Sequence, residues 1–246
     1  MQACAKTDVG IMRQMNQDYC YANTEREGLL PNLFIVADGM GGHNAGDYAS
    51  RFCVEKFVEI VRNAGTGVLS KLCFLENAIR ETNEQLIIKA TENPELEGMG
   101  TTFVMATVSD KNEMDVLNIG DSRLYLIDSD IHQITEDHSL VMEMVKNGEI
   151  KREEARFHPK KNVVTRAISA IGVVIPDMFR VPVKDGDIIL LCSDGLSNMV
   201  SDIDIYDIIC KNRDDLNTAA DILVDRANRN GGRDNITVVL VRIGDK

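Results

Sequence analysis

Acidic residues recur in this chain where apolar runs end and glycine begins. The instances are Phe34-Ile35-Val36-Ala37-Asp38-Gly39, Asn118-Ile119-Gly120-Asp121 and Leu190-Leu191-Cys192-Ser193-Asp194-Gly195. Two more acids stand at strand margins: Asp18 after Asn16-Gln17, and Asp234 after Gly232-Arg233. A strand fixes its backbone rigidly, and a following glycine lets an ion or substrate approach the main chain. Carboxylates that converge there repel one another unless a cation sits between them. Hard oxygen donors favour Mg²⁺ or Mn²⁺ over Zn²⁺, and no His/Cys set competes for the role. A single Asp-Gly pair reads equally well as turn chemistry. Five such acids, with two Asp-Gly pairs each ending an apolar run, point instead to a divalent-metal site.

The elements that must position these acids are legible as apolar patterns. Strand-like runs cover Asp18–Asn23, Asn32–Asp38, Thr101–Ser109, Met114–Ile119, Leu124–Asp128, Phe179–Val183, Asp187–Ser193 and Asn235–Ile243. Gly120-Asp121-Ser122-Arg123 between two of them reads as a hairpin turn. Ala45, Ala49, Phe52, Cys53, Phe57, Ile60 and Val61 recur at helical spacing, and a second helix is expected from about Leu69 to about Thr91. Ser201 with Asp204 reads as a capping box before Ile205–Cys210, and Thr218–Arg229 reads as a last helix stopped by Gly231-Gly232. Helices are grouped rather than alternating with strands, which predicts an α+β fold of antiparallel sheets with packed helices. A polar, charged stretch within residues 138–165 reads as a surface flap on a single domain spanning 1–246.

The whole-chain properties narrow the classes. At 246 residues the chain can bury a core without disulfides or a structural metal. No apolar run nears the ~20 residues needed to cross a bilayer, so no membrane insertion is expected. The start of the sequence, MQACAKTDVG, lacks the layout of a secretory signal, and the six cysteines are scattered without a CxxC pair. These features predict a cytoplasmic protein with thiols in the reduced state. The net charge of -12 argues against nucleic acid as a partner. It also means that any phosphate-binding site needs a local reversal of sign, which bound cations would supply.

Seven short motifs then follow in order. They are Val9-Gly10 with Arg13-Gln14-Met15-Asn16-Gln17-Asp18, Asp38-Gly39-Met40-Gly41-Gly42-His43, Gly100-Thr101-Thr102, Gly120-Asp121-Ser122-Arg123, Asp137-His138-Ser139-Leu140, Ser193-Asp194-Gly195 and Asp234-Asn235-Ile236-Thr237. In this order and spacing, over nearly the whole chain, the sequence resembles the PPM-type (protein phosphatase 2C) serine/threonine phosphatases in their compact bacterial form. The resemblance implies a four-layer sandwich of two antiparallel β-sheets flanked by helix pairs. It implies hydrolysis of phosphoserine and phosphothreonine on proteins, by attack of a water bridging two divalent metals. By resemblance Asp38 bridges two Mn²⁺ or Mg²⁺ ions, the Gly39 carbonyl binds one of them, and Asp194 and Asp234 complete the first. Asp18 lies beside the pair, as a ligand or holding metal-bound water. Asp121, with Asp194, matches a third, weaker metal position, and Arg13 matches the arginine that grips the substrate phosphate. The implied partners are phosphoproteins and a bacterial serine/threonine kinase, in signal transduction, for a chain whose default state is a monomer.

Some members carry Glu where Gln17 stands and His where Met40 stands. Gln17 offers no carboxylate and Met40 no proton, which leaves His43 as a nearby alternative acid or as a helix-start hydrogen-bonding residue. His132, His138 and His158 read as surface or structural residues. Lys151, Arg152, Arg156, Lys160 and Lys161 on the flap read as a solvated face or as a surface that meets phosphoproteins. The rival readings are a pseudophosphatase that only binds partners, and a narrow phosphatase of one regulatory switch protein.

Overall fold

The computed structural model describes residues 1–42, 45–65, 70–169 and 172–244. Two antiparallel sheets pack face to face. The first holds β1 (Gln2–Asp8), β12 (Ile236–Arg242), β11 (Ile188–Cys192), β7 (Arg123–Ile127) and β8 (Ile131–Gln133), in that spatial order. The second runs β10 (Asp177–Pro182), β6 (Glu113–Ile119), β5 (Phe103–Val108), β3 (Leu33–Met40), β4 (Gly100–Thr101) and β9 (Ile168–Ser169), with β2 (Asp18–Asn23) also pairing with β3.

Alternation along each strand divides the apolar residues between three layers of core. Phe34 and Val36 of β3, Val104 of β5, Ile189 and Leu191 of β11, and Val239 and Val241 of β12 meet between the sheets. Leu33, Ile35 and Ala37 face outward against α1 (Ala45–Arg62) and α2 (Lys71–Glu92). Ile188, Leu190 and Cys192 face α6 (Asp202–Lys211) and α7 (Leu216–Arg229) on the far side. The expected α+β sandwich with flanking helix pairs is therefore what the chain forms. The same parity sets the chemistry: after Phe34 and Val36, Asp38 falls on the inner face where the inter-sheet core ends.

Local signals account for most boundaries. Ser201 caps α6 by accepting from Asp204 N–H at 3.1 Å, and Asp215 caps α7 by accepting from Thr218 N–H at 3.1 Å. The expected start of the second helix at Leu69 lies outside the described residues; within them α2 begins at Lys71 behind a Ser70 cap. The flap contains α3 (Leu140–Lys146) and the short α4 (Arg152–Ala155). A further short helix, α5 (Asp194–Ser197), follows β11 directly.

The structure corrects two expectations. Gly120–Arg123 is not a hairpin turn: β6 pairs with β5 and β10, whereas β7 pairs with β11 and β8. The segment crosses from one sheet to the other at the end of the sandwich. Gly120 has φ +107°, and a Cβ there would stand 2.6 Å from the Thr102 side chain. The run Thr101–Ser109 is also not one strand. It breaks at Thr102, whose N–H is taken by Asp38 O at 2.9 Å.

Candidate active site

Asp18 and Asp38 are direct partners in the β2–β3 register, so both carboxylates lie on one face of the sheet. Thr102 grips the Asp38 backbone from both sides: its Oγ1 accepts from Asp38 N–H at 2.9 Å, and its N–H donates to Asp38 O. Gly39 N–H donates to Gln17 O at 3.0 Å. A Cβ on Gly39 would collide with the Gly46 carbonyl oxygen, so only glycine lets the start of α1 pack against this bend.

Asp194 begins α5 immediately after β11, and its Oδ2 accepts from Asn198 Nδ2 at 2.9 Å. Gly195 must likewise lack a side chain, because a Cβ would run into Asn235 O. Ser193 ties the two sheets together. Its hydroxyl donates to Asp18 Oδ2 at 2.7 Å and accepts from Thr237 N–H at 3.0 Å.

Asp234 precedes β12; its Oδ1 accepts from Asn235 N–H and its Oδ2 from Arg13 Nη2, at 2.9 and 2.8 Å. Asn235 staples the Arg13 loop down. Its Nδ2 donates to Val9 O and Met15 O at 2.8 and 2.9 Å, and its Oδ1 accepts from Gln17 N–H at 2.8 Å.

Arg13, Asp38, Gly39, Asp121, Asp194 and Asp234 all line one cavity of about 360 Å³. Asp18 sits behind its wall, 5 % exposed. The seven expected site residues are thus brought to one end of the sandwich. Gln17 and Met40 line the same cavity, and neither can supply a proton. His43 lies outside the described residues.

The electrostatics call for a cation. Burial raises the Asp18 and Asp121 carboxyls to about 6, with Asp234 adding repulsion at Asp18 and Asp137 at Asp121. Burial, then repulsion from Asp18, Asp194, Asp121 and Asp234, pushes Asp38 well above the ordinary carboxylate range. Burial and the neighbouring Asp121, Asp234 and Asp18 do the same to Asp194. Asp18 Oδ1 and Asp194 Oδ1 are buried with no hydrogen-bond partner. Buried acceptors are otherwise satisfied in folded proteins, so these two oxygens are donors awaiting a ligand. Among the described residues no group of three or more His, Cys, Asp or Glu side chains is gathered closely enough to hold a metal ion by itself. An open ring of carboxylates around a cavity suits ions of the Mg²⁺ kind, which keep several waters and take one or two carboxylates each.

The sequence assigns no role to Thr102, Ser193, Asn198 or Asn235, although most sit inside the quoted motifs, whereas His138 is expected to be a surface or structural residue. His138 is buried, and its Nδ1 accepts from Gly120 N–H at 3.1 Å. The ring proton therefore lies on Nε2, 3.0 Å from Asp177 Oδ2. His138 is a structural residue that fixes the crossing which carries Asp121. His132, by contrast, is half-exposed and pairs with Asp128 at 3.3 Å.

A sequence model of the protein phosphatase 2C family matches residues 12–231. The serine/threonine phosphatase Stp of Listeria innocua is 40% identical over 98% of this chain and 95% of its own length. The crystal structure of the Mycobacterium tuberculosis serine/threonine phosphatase PstP/Ppp superposes with a TM-score of 0.89, at 34% identity and 99% coverage of both chains. A structure of the PstP catalytic domain in complex with two manganese ions has a TM-score of 0.85 at 34% identity, covering 99% of this chain and 98% of that one.

Proposed function

The chain belongs to the protein phosphatase 2C family, and we propose that Asp38, Gly39, Asp194 and Asp234 hold its two catalytic ions while Arg13 holds the substrate phosphate. It is a metal-dependent protein serine/threonine phosphatase, a phosphoric monoester hydrolase. The pseudophosphatase alternative is not favoured, since every expected carboxylate is present and faces the cavity or its wall. One observation carries the assignment of roles: acids from both sheets ring a single cavity and leave two buried carboxylate oxygens without partners.

Bound divalent ions supply a water that is deprotonated near neutral pH and positive charge beside the phosphoryl oxygens. The chain's own part is to place the donors. Asp38, fixed at both peptide groups by Thr102, would be a ligand to the ions. Asp18, fixed by Ser193, backs Asp38 and receives a proton or orients a water there. Asp121, with Asp194, would hold a third, weaker ion. Arg13 meets Asp234 through one nitrogen, leaving guanidinium donors for two phosphate oxygens. The phosphoryl transition state is loose, so positioning and charge neutralisation are what the protein must provide. No nucleophilic side chain is needed: Cys53 and Cys192 are buried, with thiols pushed far up by burial.

A phosphoserine or phosphothreonine hydrolase consumes what a serine/threonine kinase produces. That chemistry supports a role opposite such a kinase in signal transduction. Among the described residues no helix is long and apolar enough to cross a membrane. The free cysteines suit a reducing, cytoplasmic setting, and a monomeric single domain with a flap at about 138–165 is the simplest working unit.

The test is hydrolysis of a phosphothreonine peptide by the metal-stripped protein with Mn²⁺, Mg²⁺ or Ca²⁺ restored, alongside Asp38→Ala and Asp194→Ala. Turnover should return with Mn²⁺ or Mg²⁺ and fall by at least about 10²-fold in both variants. Full activity of Asp38→Ala at saturating metal would overturn the assigned roles.

A further inference from the structure

Beside the metal cavity lies a second, solvent-open one of about 170 Å³ between the flap and the first sheet. The two share Asp121 and Asp194 as a common wall. Its far side is built by Arg152 and Arg156 of the flap and by Lys161, with Ser139 at the foot of α3. A smaller cavity of about 140 Å³ adjoins through Lys161 and Asn198 and adds Arg13 and Arg233.

The acids in the second cavity are already engaged. Asp137 is held by Arg123 Nε and Nη2 at 2.9 and 2.7 Å and by Gln133 Nε2 at 2.8 Å. Asp202 accepts from Tyr125 OH at 3.2 Å. Asp121 and Asp194 belong to the metal set. Arg152 and Arg156 have no carboxylate partner among the described residues, and Lys161 meets only the neutral Asn198, at 3.1 Å. Arg123, Arg156 and Lys161 line this cavity together, and Arg233 joins Lys161 in the adjoining one. Ser139 also borders the cavity. It is 2 % exposed, and its hydroxyl has no hydrogen-bond partner. In a protein of net charge -12, a cavity lined by three cations without a carboxylate partner, the exposed Arg152 and Arg156 and the half-buried Lys161, suits an anionic group.

We propose that this flap cavity is a second anion subsite, formed by Arg152, Arg156, Lys161 and Ser139, that binds a phosphate or carboxylate carried on the same peptide as the phosphoresidue being hydrolysed. The proposal rests on the phosphatase reading above and adds a substrate class to it: segments phosphorylated at two nearby positions, or phosphorylated next to an acidic residue. Because the two cavities share a wall, the second anion must sit within a few residues of the first, at ~3.3 Å of extended chain per residue.

The experiment compares kcat/KM, with saturating Mn²⁺, for an otherwise neutral phosphothreonine peptide and for versions carrying a second phosphothreonine or a glutamate. The second group is placed two, four or eight residues away on either side. One nearby placement should be favoured about tenfold, the factor that ~1.4 kcal/mol provides. That preference should vanish in Arg152→Gln/Arg156→Gln and weaken in the single variant Arg156→Gln. Both variants should hydrolyse the neutral phosphopeptide as the wild type does, which also shows that they are folded. A gain with phosphate alone identifies a phosphoryl site, and a gain with both groups identifies a general anion site; either supports the subsite. An effect independent of placement, or one that survives in the double variant, would overturn it. Failure of the wild type on the neutral phosphopeptide would instead bring down the phosphatase reading itself.

Discussion

The Thr102 hydroxyl accepts from Asp38 N–H at 2.9 Å and shares a hydrogen bond with Ser122 Oγ at 2.7 Å. One neutral group thereby couples the strand that ends in Asp38 to the crossing that carries Asp121. Thr102 is buried, so replacing it with valine keeps the volume but strands the Asp38 amide and the Ser122 hydroxyl. Thr102→Val should cost about 1–3 kcal/mol of stability. It should also raise the Mn²⁺ concentration needed for half-maximal activity, while Thr102→Ser restores both. Urea unfolding and a metal titration of peptide hydrolysis measure the two effects. A Thr102→Val protein with unchanged metal dependence would show that Asp38 does not rely on this clamp. The acids themselves were readable from sequence because each stands at the margin of an apolar run, a local pattern. Thr102 was not, because its partner Asp38 is 64 positions away and only the fold joins them.

At the scale of elements, β3, α1 and the loop before β2 meet at Gly39, where backbone alone fits. A methyl group would collide with Gly46 O and stand 2.6 Å from Gln17 O. Gln17 O cannot retreat, since it is fixed by Gly39 N–H and by Ser50 Oγ at 2.6 Å. Gly39→Ala should therefore prise α1 from the sheet, with a loss of about 3 kcal/mol and of activity together. Thermal unfolding with and without Mn²⁺ would register it, and an undisturbed melting temperature would contradict the contact. The longer strands and helices were legible because their apolar period matches their geometry. β1 was missed because it is an edge strand with mostly exposed or half-exposed residues, so its sequence, QACAKTD, shows no apolar stripe. The crossing at Gly120–Arg123 was misread for a different reason. Turn residues between two strands look the same whether the strands pair with each other or with others, and sheet membership is a long-range property.

At the scale of the whole molecule, the acids are divided between the two layers. Asp18 and Asp38 come from the second sheet, Asp194 and Asp234 flank strands of the first, and Asp121 lies on the crossing between them. Without a cation their repulsion acts across the sandwich end, and its pH dependence has a definite sign. Asp18 and Asp121 titrate at about 6 in the folded protein, against ~3.9 for an unfolded aspartate. The folded state thus holds protons that the unfolded state has released. The stability these groups contribute is complete below pH ~3.9 and is lost as the pH rises through about 6. The metal-stripped protein should therefore lose stability as the pH rises, by up to about 3 kcal/mol per group in all and by about 1.3 kcal/mol of that between pH 5 and 7, less where the acids share one repulsion. Carboxylates such as Glu27 and Asp177, lowered by their hydrogen-bond and ion-pair partners against the cost of burial, act only at more acid pH and leave that window clear. Saturating Mn²⁺ should reverse the trend, because ligands bind the ion deprotonated, and should add ~2.7 kcal/mol at a hundredfold excess over Kd. Urea midpoints at pH 5, 6 and 7, in chelator and in Mn²⁺, measure both slopes. A midpoint that climbs with pH in chelator would mean that the acids do not oppose one another across the two sheets, and the shared cation site would fall with that premise.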